Sequence, residues 1–259
     1  MKIAIIGAGN MGGAIARGLA HGNPDVKIAV ADLAQDKLAE LNVECNCVET
    51  STDSNAIVAD ADVVLVAVKP WLVEPVLKGA LPLLDLKRQI ILSIAAGVDI
   101  ATITEWLGDE NAIVFRAIPN TAISIHQSMT FVSHSKNAES QQVAQIESIF
   151  NTLGKAAVIE ERLMGAATSL CSCGIAYAMR YVRAATEGGV ELGIYPNDAK
   201  QYVLQTLRGA IELLEATSNN PEVEIDKVTT PGGITIKGLN AMEANGFTTA
   251  VIEGLKASR

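Results

Sequence analysis

Lys2-Ile3-Ala4-Ile5-Ile6-Gly7-Ala8-Gly9-Asn10-Met11-Gly12 opens the chain and decides its fold class. A short β-branched run breaks into the spacing G-x-G-x-x-G, after which Met11, Ile15 and Leu19 recur on one face of a helix. Strand, glycine turn and helix in that order suit a dinucleotide. Gly7 makes the tight turn, Gly9 lets the backbone approach a pyrophosphate and Gly12 lets the helix pack on the strand. The helix N-terminus adds free N–H groups and positive potential. His21-Gly22-Asn23-Pro24 supplies the stop for that helix.

Working outward, β-branched runs at residues 27–31, 63–68, 90–94 and 113–118 read as further strands, with 43–48 a weaker one. Helical spacing at 11–20, 35–41, 54–59, 73–77 and 100–107 falls between them. Two late strands, 129–133 and 156–159, bracket a helix at 138–153. This alternation predicts an α/β fold with a Rossmann-type parallel sheet over residues 1–160. From residue 161 to 259 the strand signal fades. Helical spacing at 163–185, 197–217 and 235–245, with Asn197-Asp198 as the N-cap of the second, predicts an all-α domain. Its first helix is poor in polar residues, so it hides its faces against another subunit, and an obligate homo-oligomer is expected.

The composition narrows the function classes. Of 259 residues, 49% are hydrophobic and 19% charged, which supplies a core and excludes disorder. A net charge of −9 repels phosphate backbones, so neither nucleic acid nor an anionic membrane is an expected partner. Met1-Lys2 leads directly into an apolar run that ends at Ile6, so no targeting segment and a cytoplasmic location are expected. The uncharged stretch at 163–179 is diluted by Gly, Ser, Thr and Cys and reads as a buried helix, not a membrane span. Cys45/Cys47 and Cys171/Cys173 are C-x-C pairs without clustered histidines, so reduced thiols and no metal are expected.

Ligands of open α/β sheets bind at the carboxyl ends of the strands. Asp32 ends the second strand 23 residues beyond Gly9, where a carboxylate accepts hydrogen bonds from a ribose 2′-OH and repels a 2′-phosphate. That favours NADH over NADPH. Two readings stay open beside it, a solvent-facing acid and a cap of the next helix, and Lys37 lies within reach of the same turn. Ala67-Val68-Lys69-Pro70 brings a positive charge to a central strand end. Ala95-Ala96-Gly97 leaves room for a flat nicotinamide ring, and Asn120 sits in the turn after the following strand.

At these residues the chain resembles the pyrroline-5-carboxylate reductase family. The resemblance rests on I-G-A-G-N-M-G, A-V-K-P at 67–70, A-A-G at 95–97, P-N-T at 119–121 and, most specifically, T-P-G-G-I-T at 230–235. It implies hydride transfer from NADPH or NADH to the cyclic imine 1-pyrroline-5-carboxylate, giving L-proline. It also implies a helical dimerisation domain, with dimers often assembled into rings of five. Cofactor contacts carry over onto Ile6, Gly7, Ala8, Gly9, Asn10, Met11, Asn55, Ala67, Val68, Lys69, Pro70, Ala95, Ala96 and Gly97. Substrate contacts carry over onto Thr230, Gly232, Gly233 and Thr235, with Asn120 added, and Thr235 is the candidate for the proton on nitrogen. The residues agree with this, because Gly232-Gly233 at a helix start frees N–H groups for a carboxylate.

One departure stands out. The family's S-G-S-G-P-A-Y is replaced by Cys171-Ser172-Cys173-Gly174-Ile175-Ala176-Tyr177, and without the proline the helix is expected to run straighter. Three rivals are weaker. A β-hydroxyacid-type dehydrogenase needs a lysine on the first interdomain helix, and none lies between Lys155 and Lys200. A deazaflavin-dependent reductase explains the first glycines but not Thr230–Thr235. A non-catalytic dinucleotide-binding regulatory protein has no need of a second anion site. A reductase of a related cyclic imine stays open through Cys171 and Cys173.

Overall fold

Ile3 and Ile5 of strand β1 (Lys2–Ile6) bury on one face of the sheet, while Ala4 and Ile6 bury on the other. Only a strand covered on both faces has this pattern, so the element reads as a continuous apolar run. The structure is a computed structural model that describes residues 1–22 and 25–259. Asn23 and Pro24 of the expected helix stop lie outside the described residues.

After β1 come α1 (Asn10–Gly22), β2 (Lys27–Ala31), α2 (Gln35–Glu44), β3 (Glu49–Ser51), α3 (Asn55–Val58), β4 (Val63–Val66) and α4 (Pro70–Ala80). They are followed by β5 (Ile90–Ser93), α5 (Ile100–Leu107), β6 (Ile113–Ile118), β7 (Ser128–His134), α6 (Ser140–Asn151) and β8 (Gly154–Val158). The eight strands form one sheet in the order β3-β2-β1-β4-β5-β6-β7-β8. The first six run parallel, whereas β7 pairs antiparallel with β6 and parallel with β8. The sheet is therefore mostly parallel. The link from β6 to β7 holds little more than a 3-10 turn at Thr121–Ile125, too short for a crossover, so the chain must reverse.

The weak strand expected at 43–48 does not form. Those residues are the end of α2 and a turn, from which Cys45 and Val48 reach the core, and β3 follows as the polar edge strand Glu49-Thr50-Ser51. The strand order reverses between β1 and β4, which places the ends of β1, β4, β5 and β6 on one rim.

The chain divides into two compact units, Met1–Ser172 and Cys173–Arg259. Residues 161–172 group with the sheet unit for visible reasons. Glu161 pairs with Arg116 of β6 at 3.0 Å, and its Oε1 also accepts the N–H of Ile100 at 2.8 Å. Ser172 Oγ donates to the carbonyl of Pro119 at 3.1 Å.

The second unit contains α8 (Gly174–Glu191), α9 (Pro196–Thr217), α10 (Pro221–Lys227), α11 (Ile234–Ala244) and α12 (Phe247–Ala257), after α7 (Met164–Ala167) in the first. Its α9 starts at Pro196 with Tyr195 as N-cap, not at Asn197-Asp198, because proline is pre-set for the first helical position. Ala199 is the buried residue of these helices, while Leu192, Tyr195 and Ile234 are more than three-quarters exposed. Such a unit holds little core of its own and leaves large apolar faces to be covered.

Candidate active site

Gly7 has φ 110°, a backbone state that favours glycine, and its N–H donates to the carbonyl of Ala31 at 2.7 Å. A Cβ on Gly7 would meet the carbonyl oxygen of Ala67 at 2.8 Å, and one on Gly12 would collide with the Gly7 carbonyl. A Cβ on Gly9 would meet nothing within 4 Å. The three glycines thus divide their work. Gly7 and Gly12 close the turn against β4, and Gly9 keeps open the face where a pyrophosphate would lie. Asn10 begins α1, so its first-turn N–H groups point into the same space. These features fit a dinucleotide.

Asp32 reaches this turn directly. Its Oδ2 accepts the Ala8 N–H at 2.7 Å and its Oδ1 accepts the Ala34 N–H at 2.9 Å. The acid neither faces open solvent nor caps α2, whose N-cap is Ala34. It ties the glycine turn to the end of β2. Beside it, β4 stops at Val66, and Ala67, Val68 and Lys69 form the turn into α4, with the exposed Lys69 as N-cap and Pro70 at the first helical position. Ala95, Ala96 and Gly97 follow β5, with Gly97 at φ 78° and the Ala95 N–H held by Ser93 Oγ at 3.2 Å. Asn55 begins α3, exposed, beyond the end of β3.

Asn120 is buried at the end of β6, where its Oδ1 accepts the Ala122 N–H at 3.1 Å and caps the 3-10 turn. Its own N–H donates to Ser128 Oγ at 3.1 Å. Sequence reasoning missed Arg116. It is an arginine inside the apolar strand Ile113–Ile118, buried, and paired with Glu161. A charge in such a strand is the signal that finds it, since a buried charge needs a partner.

The second unit carries the Thr230–Thr235 loop. The Gly233 N–H donates to the Thr230 carbonyl at 2.9 Å, closing a turn with Pro231 and Gly232 at its centre and Gly232 at φ 71°. One of the two expected free N–H groups is therefore spent on the turn itself. A Cβ on Gly233 would stand 2.6 Å from Thr230 Oγ1, so the hydroxyl lies over the glycine. Gly233 is the N-cap of α11 and supplies no side chain, which leaves the first-turn N–H groups open, with Thr235 exposed at the second helical position. A Pro-Gly-Gly start of this kind has the chemistry to receive a carboxylate, with a hydroxyl beside it.

The expected straight helix over 163–185 is interrupted. Thr168–Cys173 is π-helical, between α7 and α8. The hydroxyls of Thr168 and Ser169 donate to the carbonyls four residues back, Met164 and Gly165, at 2.7 and 3.2 Å. They compete with the backbone for those acceptors and widen the coil without any proline. Burial pushes the Cys171 thiol above its ordinary pKa. Among the described residues no group of three His, Cys, Asp or Glu side chains is arranged to hold a metal, and no helix is long and apolar enough to cross a membrane.

Comparison with known proteins sets these features in a family. A family model described as pyrroline-5-carboxylate reductase dimerisation matches residues 161–259, and one described as NADP oxidoreductase coenzyme F420-dependent matches residues 2–97. Pyrroline-5-carboxylate reductase 1 of Dictyostelium discoideum is 37% identical over 268 residues, covering 99% of this chain and 48% of that protein. The chain thus spans about half the length of that relative. Pyrroline-5-carboxylate reductase 2 of the same organism is 36% identical, covering 99% of this chain and 90% of its own. A crystal structure of Plasmodium falciparum pyrroline carboxylate reductase with NADP bound matches with a TM-score of 0.89 at 26% identity, covering 100% of this chain and 95% of that one. With both the glycine turn and the Pro-Gly-Gly helix start in place, the chain belongs to the pyrroline-5-carboxylate reductase family.

Proposed function

We propose that this protein reduces 1-pyrroline-5-carboxylate to L-proline with NADPH or NADH, the last step of proline biosynthesis. The observation that carries the reading is the uncapped start of α11 behind the Thr230–Gly233 turn, a carboxylate site on a chain whose other unit carries a dinucleotide turn. When bound, the reduced nicotinamide supplies a hydride to the imine carbon.

This chain's own residues do the rest. The open face at Gly9 and the start of α1 hold the pyrophosphate, with Ile6, Gly7, Ala8, Asn10 and Met11 forming the turn around it. Ala67, Val68, Lys69 and Pro70, together with Ala95, Ala96 and Gly97, would hold the nicotinamide half of the dinucleotide, and Asp32 and Asn55 the adenosine half. The open first-turn N–H groups of α11, which follow the turn at Gly232 and Gly233, orient the substrate carboxylate beside Thr230, and Asn120 is the substrate contact assigned to the sheet unit. Thr235 places its hydroxyl at the ring nitrogen and passes it a proton from water, or simply holds a substrate that arrives as the iminium. Orientation of two reactants is then the main contribution to the rate.

The metal-free reading follows from this chemistry, since hydride and proton suffice. The apolar faces of the second unit and the dimerisation match support a homo-oligomer through the C-terminal helices. Assembly into a decamer and a cytoplasmic location belong to the same proposal. The π segment with Cys171, Ser172 and Cys173 favours, as a second reading, a related cyclic imine of different ring size. Thr235→Ala tests the assignment. Turnover should fall at least tenfold with the cofactor KM unchanged, and an unaltered kcat removes Thr235 from the chemistry.

A further inference from the structure

A second cleft, of about 480 Å³, runs along α1 on the side facing the 3-10 turn Thr121–Ile125, and of its walls the reductase reading uses Asn10 alone. Its walls carry Asn10, Arg17, Gly18, His21, Ser124 and His126. In a chain of net charge −9 this one groove gathers an arginine and two of the three histidines. His126 ends the 3-10 turn at φ 58°, a left-handed position that glycine or asparagine ordinarily fills.

Both imidazoles are held in the same sense. His126 Nδ1 lies 3.2 Å from the Thr152 carbonyl, and His21 Nδ1 lies 2.8 Å from the Arg17 carbonyl. A carbonyl can only accept, so Nδ1 donates in each ring; Nε2 accepts while the ring is neutral and donates once it takes up a second proton. A Cβ on Gly18 would collide with Leu153 Cδ2, so α1 is bare at that point and the Nε2 edge of His126 packs beside it. The Arg17 Nε is paired with Glu44, and its Nη1 lies beside Gly13, so the guanidinium borders this cleft and the glycine-turn pocket alike. Ser124 Oγ donates to the Thr121 carbonyl at 3.1 Å. Beyond Glu44, the nearby titratable group is Cys45, whose Sγ lies 3.9 Å from His21 Nδ1.

We infer that this cleft binds a small oxyanion of the phosphate class, free phosphate or a phosphomonoester, at a position separate from the pyrophosphate of the dinucleotide. A guanidinium, together with imidazole Nε2 atoms that take up a proton with the anion and then donate to it, is the chemistry that recognises such a group. Asn10 and Arg17 also line the pocket at Ala8, Gly9 and Gly13, so the two sites adjoin. Two anions that close repel, and each weakens the other's binding by the same factor, about two- to fivefold.

The test is a titration of the full-length protein, saturated with oxidised dinucleotide, with inorganic phosphate, following the imidazole nitrogens by NMR. A chloride titration of equal ionic strength serves as control. Saturable shifts at His126 and His21, with His134 on β7 unmoved, are expected. His126→Asn keeps the left-handed backbone and should weaken phosphate about tenfold. Shifts that appear only without dinucleotide would assign phosphate to the glycine turn and overturn the site. So would equal affinity in His126→Asn, or shifts that chloride reproduces.

Discussion

The carboxylate of Asp32 accepts the backbone N–H of Ala8 at 2.7 Å, joining the end of β2 to the middle of the glycine turn across 24 residues of sequence. The second oxygen is held by the Ala34 N–H, yet a carboxylate has about four acceptor positions, so a ribose hydroxyl still finds one. Asp32 therefore shapes the turn and keeps acceptor positions that suit a ribose hydroxyl. Asp32→Asn should retain part of the tie and remove the charge, raising kcat/KM for NADPH relative to NADH about tenfold. Asp32→Ala loses the tie as well and should raise the KM of both cofactors. Steady-state kinetics with each cofactor separates the two roles, and an unchanged ratio in Asp32→Asn would remove the acid from cofactor choice.

Gly9 and Gly12 should respond to alanine in opposite ways. Gly12→Ala drives a methyl into the Gly7 carbonyl and to 2.9 Å from the Ala67 side chain, so the turn must shift, at about 2–3 kcal/mol of stability. Gly9→Ala meets nothing in the protein and should melt like the parent while losing dinucleotide affinity by tenfold or more. Thermal melts beside cofactor titrations show whether stability and binding separate in this way.

Arg116 is buried and pairs with a carboxylate that is about one-third exposed. Among the described residues its Nε has no hydrogen-bond partner, so Glu161 is the main compensation for the charge. Glu161→Ala should cost about 2 kcal/mol or more, since it leaves that charge uncompensated and also frees the Ile100 N–H at the start of α5. Glu160→Ala, whose partner Arg162 lies in solvent, should leave the melting temperature unchanged. Denaturant unfolding of the two variants decides, and equal effects would contradict the distinction.

Asp99 caps α5, accepting the Thr102 N–H at 2.8 Å. Hydrogen bonds from Thr102, through its side chain first and its backbone second, hold the Asp99 carboxyl below its ordinary pKa. A lowered native value means the cap stabilises above pH about 4 and that this contribution is lost as the pH falls through it. Asp99→Ala should cost about 1 kcal/mol near neutrality, and the gap from the parent should close in acid. A gap independent of pH would show that the carboxylate charge is not what α5 uses.

Much of this was legible because the signals are local. Strands at 2–6, 27–31 and 113–118 are short apolar runs buried on both faces, and the structure has them at those bounds. The glycine turn and the Thr230–Thr235 loop are equally local, each made by a few adjacent residues. What stayed hidden depends on distant partners or on polar backbone. β3 is polar because it is an edge strand paired to β2 alone, so it has no hydrophobic period, while the apolar residues just before it serve the core from a turn. The π segment arises where two hydroxyls at Thr168 and Ser169 compete for carbonyls, which periodicity does not register. The Asp32–Ala8 bond and the Arg116–Glu161 pair join residues far apart in the chain, so only the folded sheet brings them together.

The most direct measurement is oxidation of the reduced nicotinamide, followed at its absorbance band with 1-pyrroline-5-carboxylate as acceptor, and proline assayed as product. Rapid oxidation with stoichiometric L-proline, using NADPH or NADH, is the predicted result. Tight binding of the cofactor without imine-dependent oxidation would contradict the reductase reading and leave a dinucleotide-binding regulatory protein, or the reductase of another cyclic imine, in its place.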